Sequence, residues 1–187
     1  MTKKFILIFI VISLFLSNKT LFANDKQKII DNINEIETMK FNFNQIVHDK
    51  EETGKCFVKR PHFLKCIYED KNQKQLIVNR NNLIIHHVRY NKSYSYPTKT
   101  SFFLDILDGK KFENLILAGS ISQKKNYFEI VYSDNNKGEI MFFFDLNNYN
   151  LKGWEVMNLN SGKTTFILYD LIKNPKINKK LFQIPNA

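Results

Sequence analysis

The sequence predicts a mainly β (α+β) fold: a mostly antiparallel, strongly bent sheet of about ten strands with one N-terminal and one inserted helix. Three observations predict it. From Phe41 onward, apolar and aromatic residues alternate with polar ones in short runs, the period of a half-buried strand. Turn chemistry separates the runs: Arg60-Pro61-His62, Arg80-Asn81, Asp134-Asn135-Asn136, Asn147-Asn148 and Asn160-Ser161-Gly162. Helical patterning occurs only twice after the leader, at residues 25–39 and again after Thr100.

The elements follow in order. Lys3 and Lys4 precede an apolar run from Phe5 to Leu16, and a small residue, Ala23, closes the segment. A dozen apolar residues fall short of the roughly 20 needed to span a bilayer. A basic start, a short apolar region and a small terminal residue describe a secretory signal peptide, residues 1–23, leaving a single domain over 24–187. The whole chain has a formal charge of +10; without Lys3, Lys4 and Lys19 the mature part carries +7. Only three of the basic residues are Arg, and Asn and Ile are nearly as abundant as Lys, a skew that fits codon bias and a solvated Lys surface.

Residues 25–39 read as an amphipathic helix capped by Asn24 or Asp25, with Ile29, Ile33 and Ile36 on one face. Phe41, Phe43 and Gln45 then share one face of a strand. Residues 53–59 and 63–69 form a hairpin about Pro61, and 75–79 with 82–88 form another about Arg80-Asn81. Thr100 or Ser101 caps a short helix, Phe102 to Leu107, that stops near Gly109 and is apolar on nearly every side except Asp105. Such a helix must be covered, or must cover something, and here it caps the concave side of the sheet. Strands follow at 126–133, 138–145, 151–159 and 163–170, and Leu181-Phe182-Gln183-Ile184 closes the chain in an extended segment.

Chemistry-bearing clusters are scarce. His86 and His87 are adjacent on a strand and point to opposite faces, so they cannot chelate one ion together. Glu51 and Glu52 are adjacent acids, read as solvated. No nucleophile, metal or phosphate-loop motif appears, which argues against an enzyme, a metal and a cofactor. The Lys doublets 110–111, 124–125 and 179–180 are scattered, which argues against nucleic acid. Cys56 and Cys66 are equidistant from Pro61, so a symmetric hairpin places them opposite each other at disulfide distance; the alternative is two separate buried thiols. With 17 Phe against 6 Gly, and with Met141-Phe142-Phe143-Phe144 bulky on both faces of one strand, the reading is an aromatic-lined cavity suited to acyl chains.

The order of motifs resembles the LolA family of periplasmic outer-membrane lipoprotein carriers. Phe43-Asn44-Gln45 is similar to its F-x-Q, and Gly54 followed by Val58-Lys59-Arg60-Pro61 to its glycine and V-K-R-P. Ile77-Val78 with Arg80-Asn81 matches I-V-x-D-G, and Thr100 to Leu107 lies where the family has T-P-x-x-L-L. Leu151, Trp154, Val156, Gly162 and Thr164 follow L-x-x-W-x-V…G-x-x-T, and Leu181-Phe182 with Pro185 fits L-F-x-x-P. Ser101 stands for the lid proline, Arg80-Asn81 for Asp-Gly, and Lys65 for an Arg said to latch the lid.

The resemblance implies an incomplete β-barrel, closed by the helices, that shelters lipoprotein acyl chains. It implies a periplasmic monomer that receives cargo from an inner-membrane ATP-driven lipoprotein-releasing transporter (LolCDE type). It also implies delivery to an outer-membrane acceptor (LolB type), with no reaction catalysed. The residues expected to form the lipid-binding cavity and lid are Phe43, Phe102, Phe103, Leu104, Leu107, Phe142, Phe144, Trp154 and Val156, with Lys65 as the latch. If the parity of the 151–159 strand is reversed, Met157 and Leu159 line the cavity instead. A lipid-sensing or regulatory domain on the same half-barrel is the competing expectation.

Overall fold

The computed structural model describes residues 22–96, 102–158 and 162–185. Most of the expected signal peptide, the expected caps Thr100 and Ser101, and Leu159 lie outside them. Helix α1 covers 22–34 within the described range. Ten strands were expected and eleven form: β1 Thr38–Val47, β2 Lys50–Lys59, β3 Phe63–Tyr68, β4 Lys74–Asn79, β5 Asn82–His87, β6 Lys92–Tyr96, β7 Ser120–Gln123, β8 Tyr127–Asp134, β9 Gly138–Asp145, β10 Leu151–Asn158 and β11 Gly162–Lys173. Helices α2, Phe103–Leu107, and α3, Gly109–Ala118, sit between β6 and β7.

All neighbouring strands are antiparallel, in the order β6-β5-β4-β3-β2-β1-β11-β10-β9-β8-β7. The two edge strands, β6 and β7, do not pair, so the sheet is an open half-barrel rather than a closed one. Its concave side carries one continuous apolar core that takes in Ile29, Ile30 and Ile33 of α1 and Phe112, Leu115 and Ile116 of α3.

Several elements differ from the sequence reading. Asn24 and Asp25 lie inside α1 rather than capping it. The same helix ends before residue 39: the Asn174 side chain accepts from the backbone N–H groups of Glu37 and Thr38, at 2.9 and 3.3 Å, and leads the chain into β1. Gly109 does not stop the inserted helix. Asp108 accepts from the N–H groups of Lys110 and Lys111 and so caps a second helix that begins at Gly109. Lys26 reaches across from α1 and donates to the carbonyls of Leu117 and Gly119 at the far end of α3.

The closing segment is a 3-10 turn, Lys179–Phe182, not a strand. Phe182 is fully buried and packs on Phe63, and its carbonyl accepts from Asn79. This turn therefore covers the convex face of β3 and β4, the face that also carries the buried Ile77.

Candidate functional site

The concave face holds an apolar cavity of about 210 Å³ lined by Phe41, Leu64, Leu76, Ile106, Trp154, Val156 and Phe166, with Gln45, Tyr68 and Thr164 as its polar edge. A smaller recess of about 30 Å³ shares Phe41, Leu64, Ile106 and Trp154 with it and runs on toward Leu107, Phe112, Leu151 and Arg60. Helix α2 roofs both through Ile106.

The floor includes Cys56 and Cys66. They stand directly opposite in the β2–β3 register, with Cα atoms 4.0 Å apart, and their sulfurs are bonded. The bond closes a short loop about the Pro61 turn. Replacing both by Ser is expected to lower unfolding free energy by about 2–3 kcal/mol, because the open chain regains loop entropy. A urea titration of the double variant, or of the reduced protein, measures this.

Trp154 and Val156 line the cavity, while Met157 leaves from the other face and is exposed. A register shift between Leu151 and Gly153 lets both Leu151 and Trp154 face inward, which strict alternation forbids. Leu107 lines the small recess. Leu104 is half-buried against the core without lining either space. Phe103 opens α2; its side chain lies outside the described set.

Four expected cavity residues are filled core instead. Phe102 is buried edge-on against Tyr132, with the ammonium of Lys137 over its ring. Phe142 is fully buried against Phe112 of α3, and Phe144 stands beside it. Phe43 is fully buried between Tyr68 and Phe166, next to the cavity wall rather than in it. For Phe142 the physical reason is α3, whose buried Phe112 packs on its ring; Phe43 and Phe102 are filled in by rings of the sheet itself, Tyr68 with Phe166 for the first and Tyr132 for the second.

Lys65 is not placed as a lid latch. It alternates with Leu64 and Cys66, which face the cavity, so it departs from the convex face with Ile77 opposite it. Partial burial there lowers the pKa of its ammonium. The cation under the helices is Arg60. Its guanidinium donates to the carbonyls of Ile33, at 2.6 Å, and Ile36, at 3.5 Å, at the end of α1, and lies 5.8 Å from the centre of the Phe112 ring. Burial lowers its pKa to about 10, opposed by the nearby Asp108 carboxylate, so it stays charged at neutral pH. The lid's own tie is Asp105, which pairs with Lys137 of the β8–β9 turn and, at 3.7 Å, with Lys111.

The sequence reading missed Phe41, Leu64, Leu76, Ile106, Phe166 and Tyr68 as lining residues. The shared parity of Phe41 with Gln45 and of Leu64 with Cys66 carried the signal for part of this set. The Tyr68 hydroxyl donates to Gln45 at 2.7 Å, and burial together with the Glu52 and Asp70 carboxylates pushes its pKa up, so it stays neutral. Among the described residues no group of His, Cys, Asp and Glu is placed to hold a metal ion.

Residues 34–185 match the family described as outer membrane lipoprotein carrier protein LolA. No curated protein sequence matches the chain. Among solved structures it is similar to an uncharacterized conserved protein from Thermus thermophilus, at 6% identity and a TM-score of 0.54, covering 85% of this chain and 93% of that one. It is also similar to a LolA superfamily protein from Nitrosomonas europaea, at 10% identity and a TM-score of 0.45, covering 84% and 97%. A third is an outer membrane lipoprotein-sorting protein domain from Vibrio parahaemolyticus, described as putative, at 8% identity and a TM-score of 0.45, covering 84% and 95%.

Proposed function

The chain belongs to the family of the outer membrane lipoprotein carrier protein LolA, and from that premise we propose that it is a periplasmic carrier that shelters lipoprotein acyl chains in its concave cavity. The observation that carries this reading is the apolar space of about 210 Å³ between the sheet and α2, walled by Phe41, Leu64, Ile106, Trp154, Val156 and Phe166. Each methylene buried there contributes roughly 0.8 kcal/mol. Among the described residues no charged side chain lines the larger space, so the acyl chains themselves would meet only apolar and neutral polar groups.

The space is smaller than the roughly 300 Å³ at which drug-sized sites begin. Taking up acyl chains therefore requires α2 to lift, and the Asp105 pairs are the polar contacts that lifting breaks. Once α2 moves, the tier formed by Phe41, Cys56, Cys66 and Leu76 opens to cargo. Delivery from an inner-membrane ATP-driven transporter to an outer-membrane acceptor follows from the carrier role.

The test is mass spectrometry of what co-purifies with the mature protein, followed by acyl-peptide transfer between donor and acceptor vesicles. Diacyl or triacyl cargo and transfer are expected. Val156→Trp, which fills the cavity opposite Thr164, is expected to weaken acyl binding at least about tenfold while the protein stays folded. Lipid-free protein and unchanged lipoprotein sorting in depleted cells would sink the reading. A lipid sensor on the same fold would bind acyl chains without passing them on, which the vesicle assay separates.

A further inference from the structure

Residues 71–104 contain six Lys and Arg and no Asp or Glu, the longest acid-free stretch between the first acid, Asp25, and the last, Asp170. The described part of this stretch builds β4, β5, the 3-10 turn Val88–Tyr90 and β6, which together make one flank of the open sheet. Lys71, Arg80, Arg89 and Lys92 are exposed on it. Lys74 is already neutralised by Glu52, at 2.5 Å, and is set aside; Asp70, whose carboxylate accepts the Lys74 backbone N–H, places its charge at the β3–β4 turn and offsets one of the four exposed cations. The same flank exposes Val88, Tyr90, Tyr94 and Tyr96, of which Tyr90 is 56% accessible.

Register adds a second observation. Phe41, Cys56, Cys66, Leu76, Ile85 and Tyr94 are successive cross-strand partners, so they lie on one face of the sheet. A parallel row runs through Leu64, Val78, Leu83 and Tyr96. Both rows start at the cavity and end at the free edge β6 in an exposed tyrosine. The half-barrel thus has an apolar track leading out to a rim whose own strands are aromatic and basic and carry no acid, with Asp70 at the neighbouring β3–β4 turn.

We propose that the β4–β6 flank is a membrane-docking rim that seats the mouth of the half-barrel on an anionic phospholipid surface. Tyrosine rings sit at the headgroup level with the hydroxyl in water and the ring toward the acyl region. Exposed Lys and Arg beside an anionic leaflet each strengthen association about fivefold. The charge complementarity selects a phosphate-bearing bilayer, and the tyrosines at the end of an apolar track select a lipid surface over a soluble anion. The proposal goes beyond cargo binding and does not depend on it.

The test is flotation of the mature chain with vesicles of phosphatidylethanolamine and phosphatidylglycerol, beside vesicles of phosphatidylcholine alone. Binding only to the anionic vesicles is expected, and it should fall steeply with salt. Arg89→Glu with Lys92→Glu should weaken it at least about 25-fold. Tyr94→Ser with Tyr96→Ser should weaken it about tenfold and leave the salt dependence in place. Lys125→Glu, at the opposite edge of the sheet, should leave it unchanged. These side chains are exposed, so the thermal midpoint should not move; if the charge-reversed pair fails to fold, the tyrosine pair and the salt series decide.

Equal binding to both vesicle types would overturn the proposal. So would rim variants that bind like the unmodified chain, or a Lys125→Glu loss as large as theirs. The plugged Val156→Trp protein should still float with anionic vesicles, which separates docking from acyl capture. A chain that ignores lipid and instead binds an acidic protein would also overturn it.

Discussion

Phe43→Ala is expected to destabilise the protein by about 4 kcal/mol, the range for truncating a fully buried Phe. The ring has no exposed surface. It stacks on Phe166 at 4.7 Å between ring centres and meets Tyr68 edge-on at 5.0 Å. Phe166 in turn stacks on Trp154 at 4.6 Å, so four rings form a chain across the concave face and stiffen the cavity wall. Had Phe43 lined an open space, as the sequence alone suggests, its truncation would enlarge that space at small expense in stability. A urea titration followed by the fluorescence of Trp154, the only tryptophan in the chain, distinguishes the two. A loss below about 1 kcal/mol would return Phe43 to the cavity lining.

Gly54→Ala is expected to cost about 3 kcal/mol, the upper end for overpacking. A β-carbon there would lie 2.2 Å from the carbonyl oxygen of Ile67 and 2.9 Å from two atoms of the Phe43 ring. Gly54 is the cross-strand partner of both Phe43 and Tyr68, and its missing side chain leaves the gap over which those two rings meet. Combining it with Phe43→Leu is expected to recover little, because the nearest obstacle is backbone of β3 rather than a ring that can turn. Thermal unfolding of the single and double variants measures this, and full recovery in the double variant would show the ring to be the obstacle.

The hairpins were legible because their information is local. The alternation about Arg60-Pro61-His62 and Arg80-Asn81 places β3 to β5 to within one residue and the end of β2, which begins three residues earlier than expected, and the symmetry of Cys56 and Cys66 about Pro61 matches their register. The short edge strands β6 and β7 were not read from the sequence. Tyr94 and Tyr96 do alternate with Ser93 and Ser95, but over only five residues, and Ser120–Gln123 has a single apolar residue in four, so neither segment carries a long apolar period. Glycine misled at residue 109: a Gly after a helix commonly ends it, yet Asp108 before it caps a new one, and the two signals compete at adjacent positions.

Sequence alone determined the family, the antiparallel hairpins of the sheet's interior, their register and the presence of a roof helix. All of these rest on neighbours in the chain or on a motif order that survives divergence. Only the tertiary structure decided which apolar groups face empty space. Phe142 looks identical in pattern to Trp154 and Val156, but Phe112 of α3 fills the space above it and leaves the other two open. It also decided that Arg60 rather than Lys65 lies beneath the helices, since one residue along a strand reverses the face. It decided, too, that the apolar rows run out to the tyrosines of an acid-free edge. A cavity is volume that no side chain claims, and that depends on elements far apart in the sequence meeting in space.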